Sequence, residues 1–343
     1  MKIAIIGSGF FGLTIGLILS KKHKVEVFEI KNSIMNGASF SNQFRFHLGY
    51  HYPRSQKTVN EINKSKYLFK NYYSNAVFGK TLNYYLVPND SITSFKKYKK
   101  FLNKNNLFYK VSKNISKKNP IKNIILTNEK ILNYFKFIKK IKLKIKNSNL
   151  KLNLNTEFKR SQIKDFDKII VATYANNNFI LKKLGIKNLN EFKYELVEKI
   201  LIKLPKKFYN KSFVVVDGKY VCVDPYLGSN YHLLSDVKLS KLEKKIGKYP
   251  TFSNKNKKFI NKGIIKNIKI SKFKNFVKRS SRYLPFLKDA KYIGSMFVVR
   301  TIMKNKEKTD ERTSVVQTHS KKIISVLSGK WNNCVYLAKN LKI

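Results

Sequence analysis

The opening segment, Lys2 to Glu29, limits the fold of this chain more than any other. Lys2–Gly7 (KIAIIG) is a short apolar run rich in β-branched residues, the composition of a strand buried on both faces. Gly7-Ser8-Gly9-Phe10-Phe11-Gly12 interrupts it with a GxGxxG pattern. Leu13 to Lys21 is apolar and of helical length, and Lys24–Glu29 (KVEVFE) alternates and ends in an acid. Strand, glycine turn, helix and strand make one βαβ unit, the setting in which GxGxxG binds a dinucleotide. Gly7 permits the tight turn, Gly9 lets main chain approach a diphosphate, and Gly12 allows helix and strand to pack closely. The helix N-terminus, at Phe10 and Phe11, offers amides to the phosphates. Glu29 is placed to accept hydrogen bonds from ribose hydroxyls, which disfavours a 2′-phosphate and hence NADP.

The rest of the composition bounds the partners. The formal charge is +53, from 72 Lys and Arg against 19 Asp and Glu, and only seven of the basic residues are Arg. Arg is the bidentate reader of phosphates and bases. A Lys-rich, Arg-poor surface scattered along the chain therefore reads as solvated surface, or as one that gathers small anionic substrates, and not as a specific nucleic-acid binder. Two cysteines, Cys222 and Cys334, exclude a disulfide framework, and no CxxC metal pattern exists. A reducing cytoplasm is the expected compartment. Met1–Ser20 is apolar but punctuated by glycines and runs into a charged strand. It is read as part of the βαβ unit and not as a leader or membrane span, and no other stretch reaches spanning length.

Further along, Ser33–Ser55 reads as a loop dense in Ser, Asn, Gly, His and aromatics, and Gln56–Tyr73 as a helix. Strands are expected at Thr81–Pro88, Leu107–Lys113, Lys151–Asn155 and Asp167–Thr173, with helices at Ser91–Asn103 and Lys130–Lys146. The pattern then turns antiparallel: Phe192–Leu204, Ser212–Val216, Lys219–Val223 and Tyr231–Val237. Asp217-Gly218 gives a hairpin signal between the second and third of these strands. Lys238–Lys248 reads as a Lys-rich helix, Ile293–Arg300 and Ile323–Leu327 as strands, and Asn332–Asn340 as the last helix. The fold class is α/β with an α+β second domain. A discontinuous Rossmann-like domain (1–80, 147–187, 295–343) with a parallel sheet is interleaved with an antiparallel-sheet substrate domain (81–146, 188–294).

Three further segments give the chain a family likeness. Ala38-Ser39, then Asn42-Gln43-Phe44-Arg45-Phe46-His47-Leu48-Gly49-Tyr50-His51-Tyr52-Pro53-Arg54-Ser55, is similar to the loop of L-2-hydroxyglutarate dehydrogenase-like proteins. Asp167–Thr173 ends in Ala172-Thr173, as a later strand beside the cofactor does in that group. Arg300, Asp310 and Ser328-Gly329-Lys330 look like its C-terminal return to the cofactor. On these segments the chain resembles the D-amino-acid oxidase superfamily of FAD-dependent oxidoreductases. The resemblance implies FAD as cofactor, held by Gly7, Gly9, Phe10, Phe11, Gly12, Glu29, Ser39, Asn42, His47, Ala172, Thr173, Gly329 and Lys330. Two positions depart from the pattern: Tyr174 stands where a glycine is usual, and Thr301 where a proline is usual.

A flavin oxidoreductase must hold a substrate carbon over the ring, pair a carboxylate and accept a proton. His51 and His47 are the candidate bases, because histidine titrates nearest neutrality. Arg300, at the end of an apolar strand, and Arg45 are the candidate carboxylate clamps, and Tyr85 is a candidate pocket wall. Tyr84 and Tyr220 lie on strands of the same expected sheet. No metal is expected, since no Cys or carboxylate accompanies the two histidines. The expected reaction is hydride transfer from a small amino or hydroxy acid, with the electron acceptor open. Flavin chemistry on nucleotide sugars is the alternative, and a charge-driven binder of nucleic acid or membrane is the third reading.

Overall fold

The computed structural model describes residues 1–112, 120–218, 221–306 and 308–343. Lys113, Lys219 and Tyr220, which the sequence places at strand ends, lie outside the described residues.

Two large sheets carry the fold. In the six-stranded sheet the order is Val315–Thr318, Ile323–Leu327, Lys168–Val171, Lys2–Ile6, Lys24–Phe28 and Leu150–Asn153. Every neighbouring pair is parallel except the edge strand Val315–Thr318. Ile3, Ala4 and Ile5 are fully buried, as a central strand covered on both faces requires. From the first strand the chain goes one way, to Lys24–Phe28, while Lys168–Val171 lies on its other side. Gly7 therefore stands at the carboxyl end of the strand where the order switches, the usual ligand crevice of such sheets.

The helix Phe10–Leu19 follows at once, and its apolar sequence is buried nearly all round. It packs on the last helix, Asn333–Asn340, which also meets Gln56–Tyr73. The latter is started by Ser55, whose hydroxyl accepts the Thr58 amide. A Cβ at Gly12 would stand 1.9 Å from the Gly7 carbonyl oxygen, so this position must be glycine for the turn to close.

The second sheet has nine strands. Its main path runs Lys241–Gly247, Phe192–Lys203, Tyr231–Asp236, Val221–Tyr226, Lys211–Val215, Leu82–Pro88, Ile121–Thr127 and Tyr109–Ser112, and Lys291–Ile302 pairs along Phe192–Lys203. Its two faces differ. Leu86, Val215, Val223, Leu234, Ile200 and Ile202 pack against Phe276, Tyr283, Leu284 and Leu287. Tyr85, Val214, Cys222, Leu233, Leu201 and Met296 join the main core, which includes residues of the first sheet and of the loop between residues 33 and 55.

One expectation is corrected. Lys238–Lys248 is not a helix: Lys241–Gly247 is an edge strand paired with Phe192–Val197. Lysines on such an edge keep it from pairing further, and a Lys-rich stretch of this length carries no decisive period. The strand Lys291–Ile302, which runs across the boundary expected at 295, pairs along Phe192–Lys203 in the larger sheet. The strands Ile121–Thr127 and Val315–Thr318 had no counterpart in the sequence reading.

Candidate functional site

The glycine turn is built from main chain. Gly7 has φ +103°, and a Cβ there would meet the Ala172 carbonyl oxygen at 2.9 Å. The Ser8 amide and hydroxyl donate to Glu29 Oε2 at 2.9 and 2.8 Å, and the Lys31 amide donates to Oε1 at 3.0 Å. A carboxylate has about four acceptor sites, so Glu29 keeps capacity for a further donor. The Phe10 amide donates to Ser39 Oγ at 3.0 Å. At Gly9 an added Cβ would meet only Ser39 Oγ, at 3.5 Å, an ordinary contact. The protein's own packing therefore does not demand glycine at Gly9. No acidic side chain stands in the helix's first turn. A cleft of about 420 Å³ is lined by Lys31, whose amide Glu29 holds, and by Asn32, Asn36, Asn155, Asn261, Lys262 and Gly263. Phe10 contributes its amide alone. Its ring is buried against Trp331 and Phe137, with centroids 4.0 and 5.1 Å away, and Phe11 sits edge-on to it.

The two departures from the family pattern meet each other. Tyr174 adopts φ +56°, the left-handed conformation for which glycine is the default. Its hydroxyl accepts the Thr301 amide at 3.1 Å, a donor that a proline at 301 would lack. Beside it, Thr173 presents its methyl to Gly7 and its amide to Asn177 Oδ1. Ala172 is buried at the end of its strand. A Cβ added at Gly329 would stand 3.7 Å from the Tyr174 hydroxyl. Ser41 Oγ, Thr301 Oγ1, Asn332 Oδ1 and Trp331 Nε1 are buried without a hydrogen-bond partner among the described residues. Ser41, Trp331 and Asn332 lie in loops and Thr301 near the end of the strand Lys291–Ile302, and such groups call for a ligand or water.

The histidine loop is shaped by local geometry. Phe44 has φ +56°, and its amide is held by Asn42 Oδ1 at 3.1 Å. Arg45–Phe46 then pairs with Lys130–Ile131, which brings Glu129 under the loop. Glu129 is buried, and it organises the cluster. Its Oε1 meets His47 Nδ1 at 3.1 Å and accepts the Leu48 amide at 3.3 Å. Its Oε2 accepts the Tyr85 hydroxyl. His51 Nδ1 lies 3.3 Å from the same hydroxyl, and the two imidazoles are 5.2 Å apart. The Tyr85 proton is given to Glu129, so Tyr85 receives one from His51 Nδ1–H, and Nε2 is the unprotonated nitrogen. Burial, then His47, Arg45 and Lys330, push His51 well below the usual histidine range. His47 is also lowered by burial, against the pull of Glu129. Burial beside Glu129 raises the Tyr85 phenol. Lys330 Nζ lies 5.0 Å from the Tyr52 ring centroid and donates to the Arg312 carbonyl. Burial lowers it to about 7 despite Glu61 nearby. Asn332 ties the loop to the last helix by donating to the His47 carbonyl at 2.9 Å.

The two expected clamps are differently employed. Arg45 is 3% exposed and bound to Asp224 and Ser212, so it does not present an open fork to a substrate. The Arg300 fork lies on Glu195, which Lys241 also meets at 3.3 Å. Five of the seven arginines pair with carboxylates in this way: Arg45, Arg54, Arg279, Arg300 and Arg312. Tyr85 is fully buried, and its hydroxyl meets Glu129 and His51. Glu129, Glu195 and Asp224 escaped the sequence reading. The signal available was scarcity, since a chain with 19 acids and this many lysines keeps few carboxylates for the interior.

Glu129→Gln keeps the volume but removes the charge that both His47 and Tyr85 face. We expect it to lower stability by about 1–3 kcal/mol, the cost of weakening buried hydrogen bonds to a charged group. Urea denaturation monitored by circular dichroism measures this, and an unchanged midpoint would show that Glu129 does not organise the loop.

No family model matches the chain. It is 32% identical over 100 residues to the FAD-dependent monooxygenase FPY4 of Fusarium mangiferae, covering 29% of this chain and 27% of that protein. It is 41% identical over 59 residues to the FAD-dependent monooxygenase kojA of Aspergillus flavus, covering 17% and 14%. The chain thus spans about a quarter or less of the length of these curated relatives. Solved structures match over nearly the whole chain at low identity. Glycine oxidase from Geobacillus kaustophilus aligns with TM-score 0.67 and 12% identity over 97% of this chain and 90% of that one. L-α-glycerophosphate oxidase from Mycoplasma pneumoniae, solved with FAD bound, aligns with TM-score 0.70 and 14% identity over 98% and 92%. L-proline dehydrogenase from P. horikoshii aligns with TM-score 0.69 and 15% identity over 97% and 90%. Among the described residues no helix is long and apolar enough to cross a membrane. With its two large sheets, and with the glycine turn that follows the first strand of the six-stranded one, the chain has the fold of these solved oxidases and dehydrogenase.

Proposed function

We propose that this chain is an FAD-dependent oxidoreductase that takes a hydride from a small, anionic amino or hydroxy acid. The observation that carries the reading is Gly9, a glycine that the protein's own packing does not require, at the N-terminus of a helix whose first turn holds no acid. Bound FAD supplies the hydride acceptor. The residues of the chain hold, orient and deprotonate. The main-chain amides of Gly9, Phe11 and Gly12, with Ser39, receive the diphosphate, those of Gly7, Ser8 and Phe10 being spent on Phe28, Glu29 and Ser39. Glu29 takes the ribose hydroxyls, and the cleft at Lys31 and Asn155 lies at that end. Ser41, Thr301 and Asn332 offer buried polar atoms to the cofactor. His51 is neutral at pH 7 and accepts the proton that the substrate N–H or O–H must lose. Tyr85 and Glu129 fix its tautomer, and His47 braces the same carboxylate.

The reading is tested by adding amino and hydroxy acids anaerobically to the purified protein and following flavin absorbance. Bleaching by members of this panel is the expected result. Turnover of nucleotide sugars alone would replace the reading with flavin chemistry on those substrates. A colourless protein that retains DNA in a salt-dependent way would replace it with charge-driven binding.

A further inference from the structure

We propose that Lys199 reads the anionic group of the substrate, a carboxylate or a phosphate, in the place first expected for Arg300 and Arg45. The inference rests on the FAD-dependent reading above.

Lys199 lies on Phe192–Lys203, and strand pairing fixes the face it occupies. Tyr85 pairs with Val214, Val214 with Cys222, and Cys222 with Ser235. Ile200 pairs with Leu234, so the same register sets Lys199 beside Ser235, and Met296 flanks it on the other side. Cross-strand partners share a face. Lys199 therefore stands in the row that begins with Tyr85, near the opposite end of it, on the face turned toward the histidine loop. Contact with that loop is direct, since Lys199 Nζ donates to Gln43 Oε1 at 3.2 Å.

Lys199 is half-buried although its strand is flanked on both sides and Val197, Glu198, Ile200 and Leu201 around it are buried. Its remaining accessibility opens onto space over this face of the sheet. An ammonium has three donors, and Gln43 uses one. The nearby carboxylates are already engaged, Asp224 by Arg45 and Glu195 by Arg300 and Lys241. Burial lowers Lys199 to about 8, with Cys222 and Asp224 pulling upward and Arg300 downward, so it is charged at pH 7. A desolvated cation with unspent donors and no carboxylate of its own is costly to keep. An anion arriving with the substrate offsets that cost.

The test uses the yellow wild-type protein with Lys199→Met, Lys199→Gln and Lys199→Arg. Each is titrated with acetate, with inorganic phosphate and with neutral acetamide, and perturbation of the flavin spectrum gives Kd. We expect acetate or phosphate, but not acetamide, to bind the wild type, and the binding anion names the substrate's group. Lys199→Met and Lys199→Gln should raise its Kd about ten-fold or more, the loss of a charge-assisted hydrogen bond. Lys199→Arg should keep it within a few-fold, and flavin content should stay unchanged in all three. Equal Kd in wild type and Lys199→Gln, or no anion binding to yellow wild-type protein, overturns the proposal and leaves the flavin reading standing. A wild-type protein without flavin overturns the reading beneath it instead.

Discussion

Gly9→Val should yield a folded protein with no yellow colour. In most glycine turns a side chain fails because it strikes the protein itself. Here a Cβ at Gly9 meets Ser39 Oγ at 3.5 Å and, among the described residues beyond its chain neighbours, nothing else within 4 Å. Valine's methyls stand at the helix N-terminus, where the fingerprint brings a diphosphate against main chain. The loss should therefore fall on the cofactor and spare the fold. Gly12→Ala is the control of opposite character. Its Cβ would lie 1.9 Å from the Gly7 carbonyl, so that variant should lose fold and colour together. Circular dichroism and absorbance on the same samples separate the two outcomes. A Gly9→Val protein that keeps its flavin would remove Gly9 from the cofactor site.

His51→Ala should slow reduction of the flavin by substrate about a hundred- to ten-thousand-fold, the usual range for loss of a general base, while leaving the protein yellow. The cluster around His51 explains why the effect should be specific. Glu129 takes the Tyr85 proton, Tyr85 takes the proton of His51 Nδ1, and burial beside His47, Arg45 and Lys330 disfavours the imidazolium. The pH dependence follows with a definite sign. A lowered pKa keeps His51 in its basic form from mildly alkaline pH down past 6.5, so the acid limb of the reduction rate should lie below 6.5 and vanish in His51→Ala. An inflection near 7 that survives in the variant would report Lys330 instead, which burial holds at about 7. Stopped-flow reduction across this pH range decides, and an unchanged rate constant in His51→Ala would take the residue out of the chemistry.

What could be read from the sequence was local. The strand, glycine turn, helix and second strand of Lys2–Phe28 declare themselves within thirty residues, because each signal has a fixed spacing along the chain. Ile323–Leu327 was bounded correctly for the same reason, as an apolar run closed by Ser328-Gly329. Failures lay where the deciding partner is distant. His47 and Glu129 are 82 positions apart, and no period connects them. Tyr174 and Thr301, separately odd, become intelligible only as a hydrogen-bonded pair across 127 positions. Arg300 and Arg45 looked like open clamps because the sequence could not reveal that Glu195 and Asp224 would hold them. Lys241–Gly247 was misread because lysines on an exposed strand edge and on a helix surface look alike. In this chain tertiary pairing of scarce carboxylates decided which cations stay open to a ligand.

The most direct measurement is to denature the purified protein and identify what it releases. Stoichiometric FAD, recognised by its mass and by the rise in fluorescence when its diphosphate is cleaved, is the predicted result. Release of FMN, of a nicotinamide dinucleotide, or of no pigment from a folded chain that also fails to take up added FAD would contradict the account at its root.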